Sequence, residues 1–288
     1  MIRKMYKLGI ALGGGGARGF AHIGVLQALH EAGLKPEIIS GTSAGSLAGV
    51  LYADGYSPKE IMKLFKGMKF GKLAMGTIPR DGFFKTTGLQ YFLEKNLRAR
   101  TFEELEIPLR VVASDIENGK IRVFDSGEII PTILASCTFP IVFTPVKVGG
   151  RYYIDGGVYK NLPVSVIRKE CDKVIGVNIS SVVCQPYKSS MKYILERSIH
   201  HLMASNTLDD CRACDYLIES EDISGYSLFD MDNVNKIYNA GYKVASAYFT
   251  EKKEKLKQDF FDPVSASENK SNILPTIFKY LFLPSKKW

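Results

Sequence analysis

The sequence predicts an α/β fold built on a mainly parallel sheet. Three observations predict it. Residues 7–12 and 36–40 are short apolar runs of strand length. A helical pattern lies between them at 20–32, with Ile23, Leu26 and Leu29 at helix spacing and Gly33 as its stop. Each strand then breaks on glycine before a new helix. Strand, loop, helix, strand, turn, helix over residues 7–52 is a βαβα beginning, and strands joined by a helix pair in parallel.

The remaining elements follow in order. The helix at 44–52 carries small residues (Ala44, Gly45, Ser46, Ala48, Gly49), so it must pack closely on its neighbours. Ser57-Pro58 opens the next helix as N-cap and first helical residue. Residues 67–88 have no periodicity and carry six glycines or prolines among aromatics and lysines; they read as a mobile lid or as an ordinary connector. A helix covers 89–97. A capped turn covers 101–105, with Glu104 at the capping-box position. Strands are expected at 108–114 and 122–125 and a helix at 128–136. Extended chain at 140–148 pairs with 151–154 through Gly149-Gly150. Another strand at 173–179 follows a helix that starts at Pro163. A long helix at 189–206, a last strand at 215–219 and one helix over 231–257 complete the body. The expected domain is 1–258, with the motifs concentrated in 7–180.

Residues 259–288 change character. A polar stretch precedes Ile273-Leu274-Pro275-Thr276-Ile277-Phe278-Lys279-Tyr280-Leu281-Phe282-Leu283, with Lys286-Lys287-Trp288 behind it. That suits an interfacial membrane segment or a tail packing back on the body.

The composition narrows the class. The chain has 288 residues, 45% hydrophobic and 24% charged, enough for a sizeable core. No apolar run reaches the roughly 18 residues of a membrane span. The net charge is +8. Lysines and arginines are scattered and form no nucleic-acid motif; an anionic membrane surface fits the charge as well as nucleic acid does, and charge alone does not choose between them. The expectation is a cytoplasmic chain, peripheral at the inner membrane face. Five cysteines without a secretory signal imply free thiols. Cys211 and Cys214 form a Cys-x-x-Cys, read either as a redox or metal pair or as two small residues on a helix. The four histidines have no metal-site spacing, so no metal and no cofactor are expected.

Three short motifs carry the chemistry. Gly41-Thr42-Ser43-Ala44-Gly45 joins a strand to a helix, the setting in which Gly-x-Ser-x-Gly becomes a nucleophile elbow. Gly14-Gly15-Gly16-Ala17-Arg18-Gly19 also matches the dinucleotide fingerprint. The acidic residue that a dinucleotide site needs at the end of the second strand is missing, and no Lys-Ser or Lys-Thr follows Gly19 for a P-loop. What remains is an oxyanion hole of glycine amides, with Arg18 fixing the loop or binding a phosphate. For the base, His200 and His201 sit in a predicted helix, and His22 and His30 in the first one. Asp155, in Asp155-Gly156-Gly157 after a hairpin strand, is the better candidate. Its reference pKa of about 3.9, against about 6.5 for histidine, is a handicap of about 3.5 kcal/mol, part of which burial recovers.

Together these motifs resemble the patatin-like phospholipases, particularly the bacterial branch related to neuropathy target esterase. Ala113-Ser114-Asp115-Ile116, the block Ala135-Ser136-Cys137-Thr138-Phe139-Pro140 and Asn161-Leu162-Pro163-Val164 extend the likeness over about 7–180. Cys137-Thr138 departs from the smaller pair usual there. The resemblance implies a three-layer α/β/α fold around a mainly parallel sheet. It implies a Ser43–Asp155 dyad without histidine and an oxyanion hole from Gly14, Gly15 and Gly16 aided by Arg18. Gly19, Gly41, Gly45, Gly156 and Gly157 complete its motifs. The implied reaction is hydrolysis of fatty acyl esters in phospholipids or lysophospholipids through an acyl-serine, without metal. An acyltransferase using the same serine and a membrane-binding module without turnover are the alternatives.

Overall fold

A computed structural model of the chain describes residues 5–66, 75–76 and 84–261. Its strands are β1 (Tyr6–Leu12), β2 (Ile38–Thr42), β3 (Met75–Gly76), β4 (Phe84–Lys85), β5 (Leu109–Asp115), β6 (Lys120–Phe124), β7 (Val146–Val148), β8 (Arg151–Asp155), β9 (Cys171–Asn178) and β10 (Tyr216–Glu219). The main sheet runs in the order β10-β9-β1-β2-β5-β8-β7, with β6 also paired to β5. From β10 to β5 every pairing is parallel; β6, β7 and β8 are antiparallel additions at one edge. The expected mixed α/β sheet with a parallel core is what forms.

The parallel strands are buried over nearly their whole length. Ile10, Leu12, Ile38, Ile39, Val111 and Ile175 are all fully inaccessible. Strands covered on both faces read as continuous apolar runs, which is why 7–12 and 173–179 were legible as strands. Helix α1 (Phe20–Glu31) makes the crossover from β1 to β2, as parallel pairing of adjacent strands requires.

Helix α2 (Ala44–Ala53) follows β2, and α3 (Pro58–Lys66) follows it. The start of α3 is a reciprocal box: the Ser57 amide donates to Glu60 at 2.8 Å and the Glu60 amide to the Ser57 hydroxyl at 3.3 Å. Helices α4 (Thr87–Asn96) and α5 (Ile129–Ser136) flank β5 and β6 in sequence. After β8 come α6 (Val164–Ile167), α7 (Met191–Ser205), α8 (Leu208–Ala213), α9 (Glu221–Ser224) and α10 (Val234–Glu251).

Several boundaries move. β2 spans 38–42 rather than 36–40, because Gly41 and Thr42 continue the ladder opposite Val111 and Val112 of β5. The expected extended stretch 140–148 is a strand only at Val146–Val148. Its first part is a turn closed by the Phe143 amide on the Phe139 carbonyl, with Ile141 at φ 71°. Glu104 caps the Arg100 amide instead of Thr101. The helix expected from Met231 begins at Val234, since Asp230 and Asn233 bond to each other and hold the preceding turn. Most of 67–88 lies outside the described residues; within it, β3 and β4 pair antiparallel, Met75 opposite Lys85.

The chain divides into two compact units, Met1–Ala247 and Tyr248–Trp288. The described part of the second holds the end of α10, then α11 (Lys253–Leu256) and a π-helical turn, Lys257–Phe261. The interfacial segment expected at 273–283 lies outside the described residues. No helix among the described residues is long and apolar enough to cross a membrane.

The close fit of α2 against β1 makes a prediction. A Cβ added to Gly45 would stand 2.1 Å from the Leu12 carbonyl oxygen. Backbone cannot yield there as a flexible side chain would. Gly45→Ala therefore costs about 1–3 kcal/mol of stability, read from denaturant unfolding.

Candidate active site

Ser43 stands between the last residue of β2 and the first of α2, with φ 53° and ψ −124°. A left-handed backbone on a residue with a Cβ is costly, about 1–3 kcal/mol, and persists only where neighbours enforce it. They do so here. The Ser43 amide donates to Ser136 Oγ at 2.8 Å, and Ser136 Oγ donates to the Val112 carbonyl at 2.7 Å. The Ser43 carbonyl accepts from Ser46 Oγ at 2.7 Å and from the Leu47 amide at 3.1 Å. The turn is thereby tied to α5, β5 and α2 at once.

Asp155 ends β8, which runs antiparallel to β5 and places Asp155 opposite Ala113. On the other side of β5, Thr42 lies opposite Val112. The two loop ends thus meet one position apart across a single strand. Ser43 Oγ donates to Asp155 Oδ2 at 2.5 Å, while Asp155 Oδ1 accepts the Gly157 amide at 2.8 Å. Asp155 is fully buried, and desolvation pushes its carboxyl up to about 6, against the opposing pull of the Ser43 and Gly157 hydrogen bonds. A carboxylate with that basicity is a far better proton acceptor than an exposed aspartate.

The glycine loop leaves β1 beside this pair. The Gly13 amide donates to the Val177 carbonyl at 3.1 Å, the Gly14 amide to the Asn161 carbonyl at 3.0 Å and the Ala17 amide to the Leu228 carbonyl at 2.8 Å. Gly14 is therefore not a free donor. Among the described residues the Gly15 and Gly16 amides take no such partner, and both glycines line the cavity that holds Ser43. Gly16 has φ 54°, and a Cβ there would lie 2.3 Å from the Leu228 carbonyl oxygen. Only glycine fits this bend.

The Arg18 side chain is buried in the protein. Its Nε donates to the Tyr226 carbonyl at 2.7 Å, and a terminal nitrogen lies 3.2 Å from His200 Nε2. Burial lowers the guanidinium to about 10. Of the two roles read from the sequence, these contacts match fixing the loop, which Arg18 ties to α7 and to the 226–231 segment.

Two histidines have places the sequence did not supply. His22 is fully buried on α1, its Nε2 2.7 Å from the Gly13 carbonyl. A carbonyl only accepts, so Nε2 carries the proton; Nδ1 is buried without a partner, and burial lowers the ring to about 4. His22 props the glycine loop from below. His200 lines the cavity wall, with Nε2 3.0 Å from the Ser180 carbonyl as well as near Arg18. A guanidinium only donates and a carbonyl only accepts, so Nε2 serves one of them at a time. Burial, then Arg18, lowers this ring to about 4.

The cavity has a volume of about 290 Å³. Ser43, Asp155, Gly15 and Gly16 lie on it, and apolar side chains make most of the wall: Phe139, Val142, Phe143, Met203, Leu228 and Phe229. The Phe139 and Phe229 rings meet edge to face at 5.9 Å, joining the 137–143 segment to the 226–231 segment. Cys137 also lines it; burial and the Asp155 charge push its thiol up to about 12, so it is an inert wall residue. Cys211 and Cys214 sit elsewhere. The Cys214 thiol donates to the Cys211 carbonyl at 3.1 Å, an ordinary helix-end contact. Among the described residues no group of three His, Cys, Asp or Glu side chains is placed to hold a metal ion.

Comparison with known proteins gives the family. The family model described as patatin-like phospholipase matches residues 10–167, more than half of the chain. The chain belongs to the patatin-like phospholipase family. The match holds the glycine loop, the serine elbow and the Asp-Gly-Gly turn. A patatin-like phospholipase domain-containing protein of Caenorhabditis elegans is 34% identical over 171 residues, 56% of this chain and 12% of its own length. An uncharacterized NTE family protein of Mycobacterium bovis is 30% identical over 204 residues, 70% of this chain and 57% of that one. The chain thus spans from about an eighth to just over half of these relatives. Among solved structures, VipD from Legionella pneumophila matches with a TM-score of 0.54 at 16% identity, covering 85% of this chain and 67% of that one. That likeness bears on the fold, a patatin-like α/β architecture. Met203, Leu228 and Phe229, which also line the cavity, lie beyond the residues that the family model matches.

Ser136 gave no functional signal in the sequence, yet it holds the Ser43 amide. Ser136→Ala leaves that amide and the Val112 carbonyl without their buried partner. The expected result is a fall in kcat of about 10–100-fold with KM little changed, read from steady-state ester hydrolysis.

Proposed function

We propose that the protein is a serine lipid acyl hydrolase that cleaves fatty acyl esters through Ser43 and Asp155. The observation that carries this reading is the 2.5 Å hydrogen bond from Ser43 Oγ to Asp155, set on the wall of an apolar cavity of about 290 Å³. The hydroxyl proton passes to Asp155 as Ser43 Oγ attacks the ester carbonyl. The Gly15 and Gly16 amides face the oxygen that becomes negative, and the N-terminus of α2 adds its dipole. When the tetrahedral species collapses, the departing alcohol takes the proton from Asp155 and the acyl group stays on Ser43. Water then repeats the sequence, with Asp155 as its base, and frees the fatty acid.

The wall argues for a hydrocarbon acyl chain. Mostly apolar walls of this kind suit a hydrocarbon chain rather than a polar group. The substrate class is phospholipid or lysophospholipid. Gly14 and Arg18 act by holding the loop, leaving Gly15 and Gly16 as the donors. The test is fatty acid release from a p-nitrophenyl acyl ester and from mixed phospholipid vesicles. Turnover in the wild type that disappears in Ser43→Ala supports the reading; equal turnover in both overturns it.

A further inference from the structure

Helix α7 has its polarity reversed for a helix that faces water. Among its described side chains, the charged Glu196 and Arg197 turn inward. Glu196 accepts from the Ser227 hydroxyl and the Leu228 amide at 2.9 Å each, and Arg197 donates to the Val183 carbonyl at 3.0 Å. His200 and Met203 are buried and line the Ser43 cavity. The outward positions are instead Met191, Ile194, Leu195 and Leu202, spaced to share one side of the helix. Met191 is 83% exposed and Leu202 68%. The other outward positions described, Ser198, His201 and Ser205, bring no carboxylate.

The apolar surface continues beyond the helix. Tyr187, in the segment leading into α7, is 74% exposed. Phe229, on the cavity wall, is exposed, and so is Ile141, the neighbour of lining residue Val142. Ile141 holds φ 71°, a conformation that β-branched residues almost never adopt. A residue kept strained and apolar at the surface is there for its side chain and not for its fit.

We propose that the outer face of α7, with Tyr187, Phe229 and Ile141, docks the protein onto an anionic lipid surface. For what enters the cavity this rests on the hydrolase reading; the docking itself does not. Lipid fits better than a second copy of the chain, because a net charge of +8 repels copies and attracts anionic headgroups. The inner face of the same helix walls the apolar cavity, so an acyl chain leaving the bilayer beside α7 meets apolar side chains on its way to Ser43. The helix serves as a partition, lipid on one side and the reacting ester on the other.

The test uses the full chain and vesicles of phosphatidylglycerol mixed with phosphatidylcholine. Leu195→Glu with Leu202→Glu lowers vesicle co-sedimentation at least about tenfold. Leu195→Gln with Leu202→Gln lowers it without adding charge. Ile141→Gly relieves the backbone strain, keeps the fold and weakens binding through loss of the side chain alone. Turnover of a short soluble p-nitrophenyl ester stays unchanged in all three. Vesicle binding equal to wild type in both double variants overturns the proposal. So does a loss that only follows conversion of a dimer to a monomer in solution. Wild-type binding without ester turnover removes the hydrolase reading and leaves the docking surface standing; ester turnover without vesicle binding does the reverse.

Discussion

Ser43→Ala lowers fatty acid release from a p-nitrophenyl acyl ester by at least about 10³-fold, and the variant remains folded. The size follows from what the hydroxyl does. Without Oγ no acyl-enzyme forms, and only the cavity and the Gly15 and Gly16 amides are left to favour attack by water. The fold tolerates the change because Ser43 is held through its backbone: the amide by Ser136, the carbonyl by Ser46 and Leu47. Removing Oγ also frees Asp155 of its nearest donor. Steady-state rates, with circular dichroism for the fold, check both halves. A variant that keeps near-wild-type turnover sinks the nucleophile.

Asp155→Asn removes the base and lowers kcat by about 10³–10⁴-fold, and the wild-type pH profile carries the mark of a raised carboxyl. Burial raises the Asp155 carboxyl from 3.8 to about 6. It must be ionised to accept the proton from Ser43, so wild-type kcat is flat above pH 6 and falls tenfold per pH unit below it. His200, the only histidine on the cavity among the described residues, sits at about 4 and would hold the plateau two units further into acid. An inflection near 6 that is unchanged in His200→Gln supports Asp155 as base; an inflection that is lost or moved in His200→Gln overturns it.

The same shift makes a statement about stability. A carboxyl raised in the folded state favours the protonated form there. Its contribution is fully present below the unfolded pKa and is lost as pH rises through about 6. At neutral pH the ionised, buried Asp155 strains the fold. Asp155→Asn should thus gain stability, on the order of 1–3 kcal/mol, while losing activity. Thermal unfolding at pH 7 and at pH 5 reads this directly: the gain shrinks at the lower pH.

The parts of the site that are continuous in sequence could be read from it. Gly41 to Gly45 is a strand end, a turn and a helix start, and local backbone rules require glycine in so tight a join. The apolar runs at 7–12 and 173–179 gave parallel strands because strands covered on both faces leave no polar alternation. Local rules also misplaced boundaries where tertiary contacts intervened. β2 runs on to Thr42 because β5 offers it partners, and α10 starts late because Asp230 and Asn233 close the turn before it.

What joined distant residues was not legible. Ser136, 93 positions from Ser43, lies in a block that carried the family resemblance, but nothing in that block told that its side chain holds the Ser43 amide. His200 lies 182 positions from Arg18 and reaches it only through the tertiary fold. Gly14 looked like its neighbours as an amide donor until Asn161, on a different loop, was seen to occupy it. The faces of α7 were not assigned from sequence: Ile194 and Leu195 are exposed, while Glu196 bonds to Ser227 and the Leu228 amide.

The sequence by itself determined the parallel core strands to within a few residues, the order of the motifs and the chemical types available: a serine at an elbow, a glycine loop and an aspartate on a turn. Periodicity and steric rules act over a few residues, and those features need no more. Only the tertiary structure decided that Ser43 and Asp155 meet, since that depends on β8 pairing antiparallel to β5 in one register; a slip of one residue would turn Asp155 to the opposite face of the sheet. It also decided the basicity of Asp155. Desolvation is a property of everything packed around a group, and that packing comes from every part of the fold.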